Sequence, residues 1–309
     1  MISNKLIIWF GLLFLITFSR AAFAELPESR FFHAGDGKLS LNSTHTRATF
    51  NGVYRTNGKY DQQALNQINK VFSTGQQKGE ISLRLIEFLD YLQDHFQGGK
   101  ITIVSGYRSP NYNTNLRNNG KLAAKASMHQ YGLAADIIMQ GVSSRKIWDY
   151  VKDINFGGVG YYYGKTVHID VGPARFWDAN TSGVGSGLAD DNKLIIIINN
   201  QDIYLPGETI NLKFARMTAW PIGVNTKFIL ENLDKDRKIG SQKIKPIFKN
   251  SSTQDKCQVF EDFKGMSDIF WQIPENIPAG RYQIKVKFCD SPWTEMPKEI
   301  VTDEFKIQL

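Results

Sequence analysis

Two textures divide the chain. Over 60–72 apolar residues fall at Leu65, Ile68, Val71 and Phe72, and over 82–96 at Leu85, Ile86, Leu89, Leu92 and Phe96. Both spacings predict amphipathic helices, the second with Ser82 as its N-cap. A further helix is expected over 144–154, while 39–43, 48–54, 101–104 and 166–171 read as short strands. Helices sit among strands without strict alternation of the two, which predicts an α+β domain over 25–180. From 193 to 309 the pattern is strand-like almost throughout, in short runs over 194–198, 209–214, 227–230, 269–273 and 281–288. Turn signals at Pro206-Gly207 and Pro278-Ala279-Gly280 separate them. This second part is expected to be a β-sandwich of immunoglobulin-like type, acting as a binding or spacing module. Residues 181–192, rich in Gly, Ser, Asn and Asp, read as a flexible linker between the two.

The first 24 residues have their own pattern. Lys5 precedes an apolar stretch over 6–18, and Ala22-Phe23-Ala24 follows as a small-x-small cleavage site. A charged start, a short apolar run and such a site predict an export signal cut after Ala24; the other reading is an uncleaved anchor. The run is shorter than the roughly 20 residues that span a bilayer, and no later segment is long and apolar enough to cross one. The expected location is therefore periplasmic or secreted.

Charge and cysteine content change this picture only a little. The formal net charge is +7, which falls by two to +5 if Lys5 and Arg20 leave with the signal. Lys and Arg are scattered rather than clustered, which argues against nucleic acid as a partner. A mild positive field suits an acidic polymer. The two cysteines, Cys257 and Cys289, are expected to pair in an oxidising compartment, the alternative being two buried thiols.

Candidate chemistry lies entirely in the first part. Of five histidines (His33, His45, His95, His129 and His168), the last two have unusual neighbours. His129 opens a stretch ending in Asp136, with Gly132 between them to allow a tight turn. His168 stands in Val167-His168-Ile169-Asp170-Val171-Gly172. On a strand His168 and Asp170 share one face while Val167, Ile169 and Val171 pack on the other. Two imidazoles and one carboxylate meet the requirement of a catalytic zinc site, which keeps a fourth position for water. His33, His45 and His95 lack partner spacing and are expected at the surface.

Four motifs follow one another here: Ser105-Gly106-Tyr107-Arg108-Ser109-Pro110, His129 to Asp136, Gly157-Gly158-Val159-Gly160-Tyr161-Tyr162, and Val167 to Gly172. In this order the chain resembles the M15 family of zinc peptidases, and within it the murein endopeptidase K branch, over about 40–178. The resemblance implies an M15/hedgehog-like peptidase fold, one zinc ion per chain held by His129, Asp136 and His168, and hydrolysis of stem-peptide cross-links in peptidoglycan. It leaves open whether a D-alanyl–diaminopimelate or a diaminopimelate–diaminopimelate bond is cut. It does not extend to 193–309.

Two further residues complete the expected site. Arg108 follows the strand over 101–104 on a Ser-Gly turn. Its guanidinium is expected to pair with a substrate carboxylate or a developing oxyanion, or else to brace its own loop. Many M15 peptidases carry an acidic residue three positions before the second zinc histidine, where this chain has Lys165. Asp170 is then the nearest carboxylate on the metal face, as proton acceptor or as a holder of a ligand histidine. The competing functional reading is a protein that binds metal and recognises peptidoglycan, or adheres, without cutting.

Overall fold

A computed structural model describes residues 28–309, except 75–78, 122, 235–239, 250–255, 264–265, 267–268 and 290. The expected leader over 1–24 lies outside the described residues. No helix among them is long and apolar enough to cross a membrane.

The first region runs β1 (Lys38–Ser43), β2 (Thr49–Val53), a small hairpin of β3 (Arg55–Thr56) and β4 (Lys59–Tyr60), α1 (Gln62–Phe72), α2 (Leu83–His95), β5 (Ile101–Ser105) and α3 (Pro110–Asn118). A 3-10 turn (Met128–Tyr131), β6 (Ala134–Met139), α4 (Ser144–Asp153), β7 (Gly158–Tyr161), β8 (Val167–Asp170) and β9 (Arg175–Asp178) complete it. Seven of these strands form one mixed sheet in the order β2-β1-β5-β6-β8-β7-β9. The region is α+β, as the pattern predicts.

The helices form where periodicity and capping agree. Asp61 caps α1, its carboxylate accepting from the backbone of Gln63 and Ala64 at 2.7 and 3.1 Å. Leu65, Ile68, Val71 and Phe72 turn to the core. Each such buried side chain contributes about 1.5–3 kcal/mol relative to exposure. Ser82 does hold the N-cap position of α2, but its hydroxyl makes no capping bond. That helix also buries Arg84, Glu87 and Asp90. Arg55 pairs with Glu87 at 2.7 Å, whereas among the described residues Asp90 accepts only from the Tyr54 hydroxyl at 2.8 Å and the Gly37 amide at 2.9 Å, and burial pushes its pKa up to about 7. His33, expected at the surface, is half-buried against Phe156 with ring centroids 4.5 Å apart.

The second region contains β10 (Ile196–Asn199), β11 (Ile203–Tyr204), β12 (Thr209–Ala215), β13 (Ile222–Asn225), β14 (Phe228–Asn232), β15 (Gln242–Ile244), β16 (Ile247–Phe248), β17 (Cys257–Phe260), β18 (Ile269–Gln272), β19 (Gly280–Lys287), β20 (Glu299–Val301) and β21 (Phe305–Ile307). One sheet has the order β10-β12-β18-β16 and another β11-β21-β19-β14-β15 with β20 beside β19, while β13 and β17 pair as a separate two-stranded ladder. Inward residues of the two larger sheets share a core, as where Phe228 meets Phe248 edge-on at 5.9 Å. Cys257 and Cys289 form a disulfide.

The two regions are packed together. Arg84 of α2, only 4% exposed, forms an ion pair with Asp202 at 2.5 Å and one with Asp303 at 3.3 Å. It also donates to the carbonyls of Asn199 and Gln201. Arg30 pairs with Glu208 at 2.7 Å. The connecting segment is tied down at its end, where the buried Asn192 carboxamide bonds Thr218 and Ala219.

Candidate active site

The site is written in the register of the sheet. Pairing of β6, β8, β7 and β9 lines up two cross-strand rows on one face. Asp136 stands opposite His168, His168 opposite Gly160, and Gly160 opposite Trp177. One step along, Ala134, Asp170, Gly158 and Arg175 align in the same way. The glycines of the Gly157-Gly158-Val159-Gly160 motif explain themselves here. A Cβ on Gly158 would lie 2.2 Å from the Asp170 carboxylate, and one on Gly160 within 2.6–2.7 Å of the Trp177 ring. Their bare backbone is the room in which the large polar neighbours fit.

His129 arrives from outside the sheet. It lies on the 3-10 turn that Gly132 ends at φ 68°, a left-handed conformation natural to glycine. Its Nδ1 is 2.8 Å from the Gly106 carbonyl. A carbonyl only accepts, so Nδ1 carries the proton and Nε2 keeps its lone pair. That Nε2 lies 3.3 Å from His168 Nδ1 and 3.5 Å from Asp136 Oδ1. His168 is arranged in the opposite sense. Its Nε2 donates to Asp170 Oδ2 at 2.9 Å, leaving Nδ1 to face Asp136 Oδ1 at 3.0 Å.

Three acceptor atoms therefore converge, and each is fixed from behind. Gly106 holds His129 and Asp170 holds His168. Arg108 holds Asp136, its Nη2 donating to Oδ2 at 2.8 Å while its Nε bonds Ser105 Oγ at 2.9 Å. Two imidazole nitrogens and a carboxylate oxygen turned inward, with hydrogen bonds outside them orienting the rings, fit a divalent cation of the zinc type. Burial, helped by Arg108, lowers the His129 pKa. Burial works against the Asp136 carboxylate, but the two imidazoles outweigh it and hold its pKa well below the usual range. For His168 burial is outweighed by Asp136 and Asp170, and its pKa rises. A second grouping of Asp36, Asp90 and Asp94 lacks any nitrogen donor.

Arg108 and Asp170 each stand in the second of the two positions expected of them, the one bonded within its own loop and the other holding His168. Arg108 is not free in a cleft but clamped on Asp136. Asp170 is fully buried and sits on the far side of the His168 ring from the cluster. Its Oδ1 accepts from Gly172 N and Arg175 Nη1, each at 3.0 Å, and its Oδ2 from His168 and Arg175 Nη2. Both oxygens are occupied, which leaves neither for a water proton. Burial opposes its ionisation, yet Arg175 and His168 keep its pKa lowered.

Arg175 and Trp177 are the residues that sequence reasoning misses. Arg175 lies over the Trp177 ring at 5.2 Å, and Trp177 flanks His168 with ring centroids 5.1 Å apart. Their signal was present in the spacing. Arg-x-Trp places both side chains on one strand face, but nothing in the chain announces which strand lies beside β7.

Comparison with known proteins bears on the first region. The model of one family, described as peptidoglycan L,D-endopeptidase MepK, matches residues 33–177. Peptidoglycan L,D-endopeptidase MepK of Escherichia coli K12 is 34% identical over 143 residues, which cover 45% of this chain and 79% of that protein. The chain belongs to this M15 family. A probable peptidoglycan L,D-endopeptidase MepK of Haemophilus influenzae is 35% identical over 82 residues, 26% of this chain and 44% of that one. The alkylpurine DNA glycosylase AlkC of Pseudomonas fluorescens, bound to DNA containing an abasic site analog, aligns at a TM-score of only 0.23 and 14% identity. That alignment covers 37% of this chain and 30% of the glycosylase and bears on neither fold nor function. The matched family region ends before the second, all-strand region begins.

Proposed function

We propose that the protein is a zinc-dependent peptidoglycan endopeptidase of the periplasm or cell surface, cleaving stem-peptide cross-links, with the L,D type favoured by its relatives. The observation that carries this reading is the convergence of His129 Nε2, His168 Nδ1 and Asp136 Oδ1, each locked from behind. These three residues hold one zinc ion per chain. Bound zinc supplies Lewis acidity and activates water near neutral pH.

The remaining roles fall to the chain's own groups. Asp170 keeps the proton of His168 on Nε2 and the ring in place; it is a positioning residue rather than the proton acceptor. Arg108 fixes Asp136 and has no partner on Nη1 among the described residues, so that edge is available to a substrate carbonyl or carboxylate. Hydrolysis adds water across the amide: its oxygen bonds the carbonyl carbon, the C–N bond breaks, and a proton passes to the leaving amine. The second region is an immunoglobulin-like sandwich beyond the linker.

One observation favours a second reading. Among the described residues, the carboxylate expected to accept the water proton is fully engaged, as in a protein that binds peptidoglycan without cutting it. Digestion of purified peptidoglycan with and without a chelator, followed by mass analysis, separates the two. Peptides released only without chelator support the enzyme. Wall binding with no release supports recognition.

A further inference from the structure

The second region reaches the site through the end of β12 and the residues just beyond it. Lys213 donates to the Tyr131 carbonyl at 3.1 Å, and the Met217 amide donates to the Tyr131 hydroxyl at 3.0 Å. Tyr131 lies two residues past His129 on the same 3-10 turn. Between these two anchors Arg216 has φ 62°, a left-handed conformation that residues other than glycine seldom adopt. Such strain persists where the surroundings impose it, and it clusters at functional positions.

The Arg216 side chain is also unsatisfied. Its Nε is buried without a hydrogen-bond partner, and no carboxylate among the described residues pairs with it. Burial pushes its pKa down to about 10, the neighbouring Arg175 adds to this, and Asp170 and Tyr131 act in the opposite or stabilising sense. Arg175 is already matched to Asp170, whose oxygens are full. Asp170 therefore has no free acceptor for Arg216, whose charge is left without a direct partner among the described residues. A partly buried cation without a partner is costly, and an anion supplied from outside would remove that cost.

We infer that Arg216, carried by the second region, anchors a free carboxylate of the stem peptide at the edge of the site and so selects the substrate. The inference rests on the endopeptidase reading for its substrate class. It makes the second region part of the site rather than a spacer, with a specificity residue outside the segment 33–177 that matches the family.

The test uses the full chain with Arg216→Gln and Arg216→Lys. Cross-linked muropeptides with all carboxylates free are compared with versions amidated either at the chain-terminal carboxylate or at the side-chain carboxylate of the diamino acid. Cleavage gives KM and kcat, and calorimetry on chelator-treated protein gives Kd for the same peptides. Arg216→Gln should raise KM and Kd about 10–100-fold for the free peptide, more than it lowers kcat. One amidation should erase the wild type's advantage and so identify the carboxylate. Arg216→Lys should keep part of the preference. Unchanged KM and Kd in Arg216→Gln, or an advantage that survives both amidations, would overturn the inference. If the wild type cuts nothing, the endopeptidase reading fails, and the calorimetric comparison still decides the role of Arg216.

Discussion

The two sheet systems of this protein solve the same packing problem with opposite materials. In the second region cross-strand neighbours on the inner face are apolar: Ile210 stands opposite Trp271, and Leu230 opposite Ile284, all of them buried. Away from its junction with the first region its charges face outward, as where Lys285 meets Glu231 at 2.8 Å with both about a quarter exposed. In the first region one face of the sheet carries Asp136, His168, Asp170 and Arg175 in adjoining rows. Burying an ion is expensive unless every partner is in place. An apolar row tolerates one lost neighbour as a cavity, whereas a charged row loses its reason for being buried. The charged face therefore depends on all its members at once, and the apolar face does not.

The comparison is broken most severely at the cluster itself. His129→Ala or His168→Ala should abolish both metal binding and peptidoglycan release while leaving the unfolding of the second region untouched. Metal analysis beside a digestion assay checks this; full zinc content in both variants would rule out the ligand set. Next in size is the junction. Arg84→Ala leaves Asp202, itself only 2% exposed, as an uncompensated buried charge, and should cost about 3–5 kcal/mol in urea unfolding. A cost under about 1 kcal/mol, as for an exposed pair, would mean that the two regions are not joined through this ion pair.

The apolar region has its own weak point. Cys257 and Cys289 are 32 residues apart, and closing a loop of that length contributes about 3–4 kcal/mol in the chain-entropy model. Replacing both with serine should lower stability by that amount and leave metal content unchanged. A change in metal content would tie the disulfide to the site, against the division drawn here.

Much of this was legible in the chain, for identifiable reasons. The helix α1 follows from apolar spacing, and β12 and β19 from alternation, because each buries one continuous face, whereas α2 buries every residue from Arg84 to Asp90, more than its apolar spacing announces. The cluster was legible because His129, Gly132 and Asp136 lie within a few residues, and because His168 and Asp170 share a strand face. What stayed hidden depends on pairing between distant segments. The partners of Asp170 follow from β9 lying beside β7, and the clamp of Arg108 on Asp136 from β5 lying beside β6. Arg216 lies in another region altogether. Residue types reveal which groups are unusual; register decides which of them meet.

Asp170→Asn is the finest test of the charged face, since it removes one charge and almost no volume. In the native arrangement Oδ2 accepts from His168 Nε2 and Oδ1 from the Gly172 amide. An asparagine has to place its amide nitrogen at one of these positions. At the Oδ1 position it puts a donor against the Gly172 amide and Arg175 Nη1. At the Oδ2 position it makes His168 Nε2 an acceptor and moves the ring proton to Nδ1, into the cluster, where a metal ligand cannot keep it. Either orientation weakens the site without unmaking it. Loss of such a supporting partner lowers metal affinity by about 10–100-fold. Competition with a chromogenic chelator measures that, and turnover should recover when zinc is raised to saturation. A proton acceptor behaves in the reverse way: Asp170→Asn would keep its zinc and lose turnover by about 10²–10⁴ at any zinc concentration. That result would return Asp170 to the proton-transfer role that its two occupied oxygens argue against.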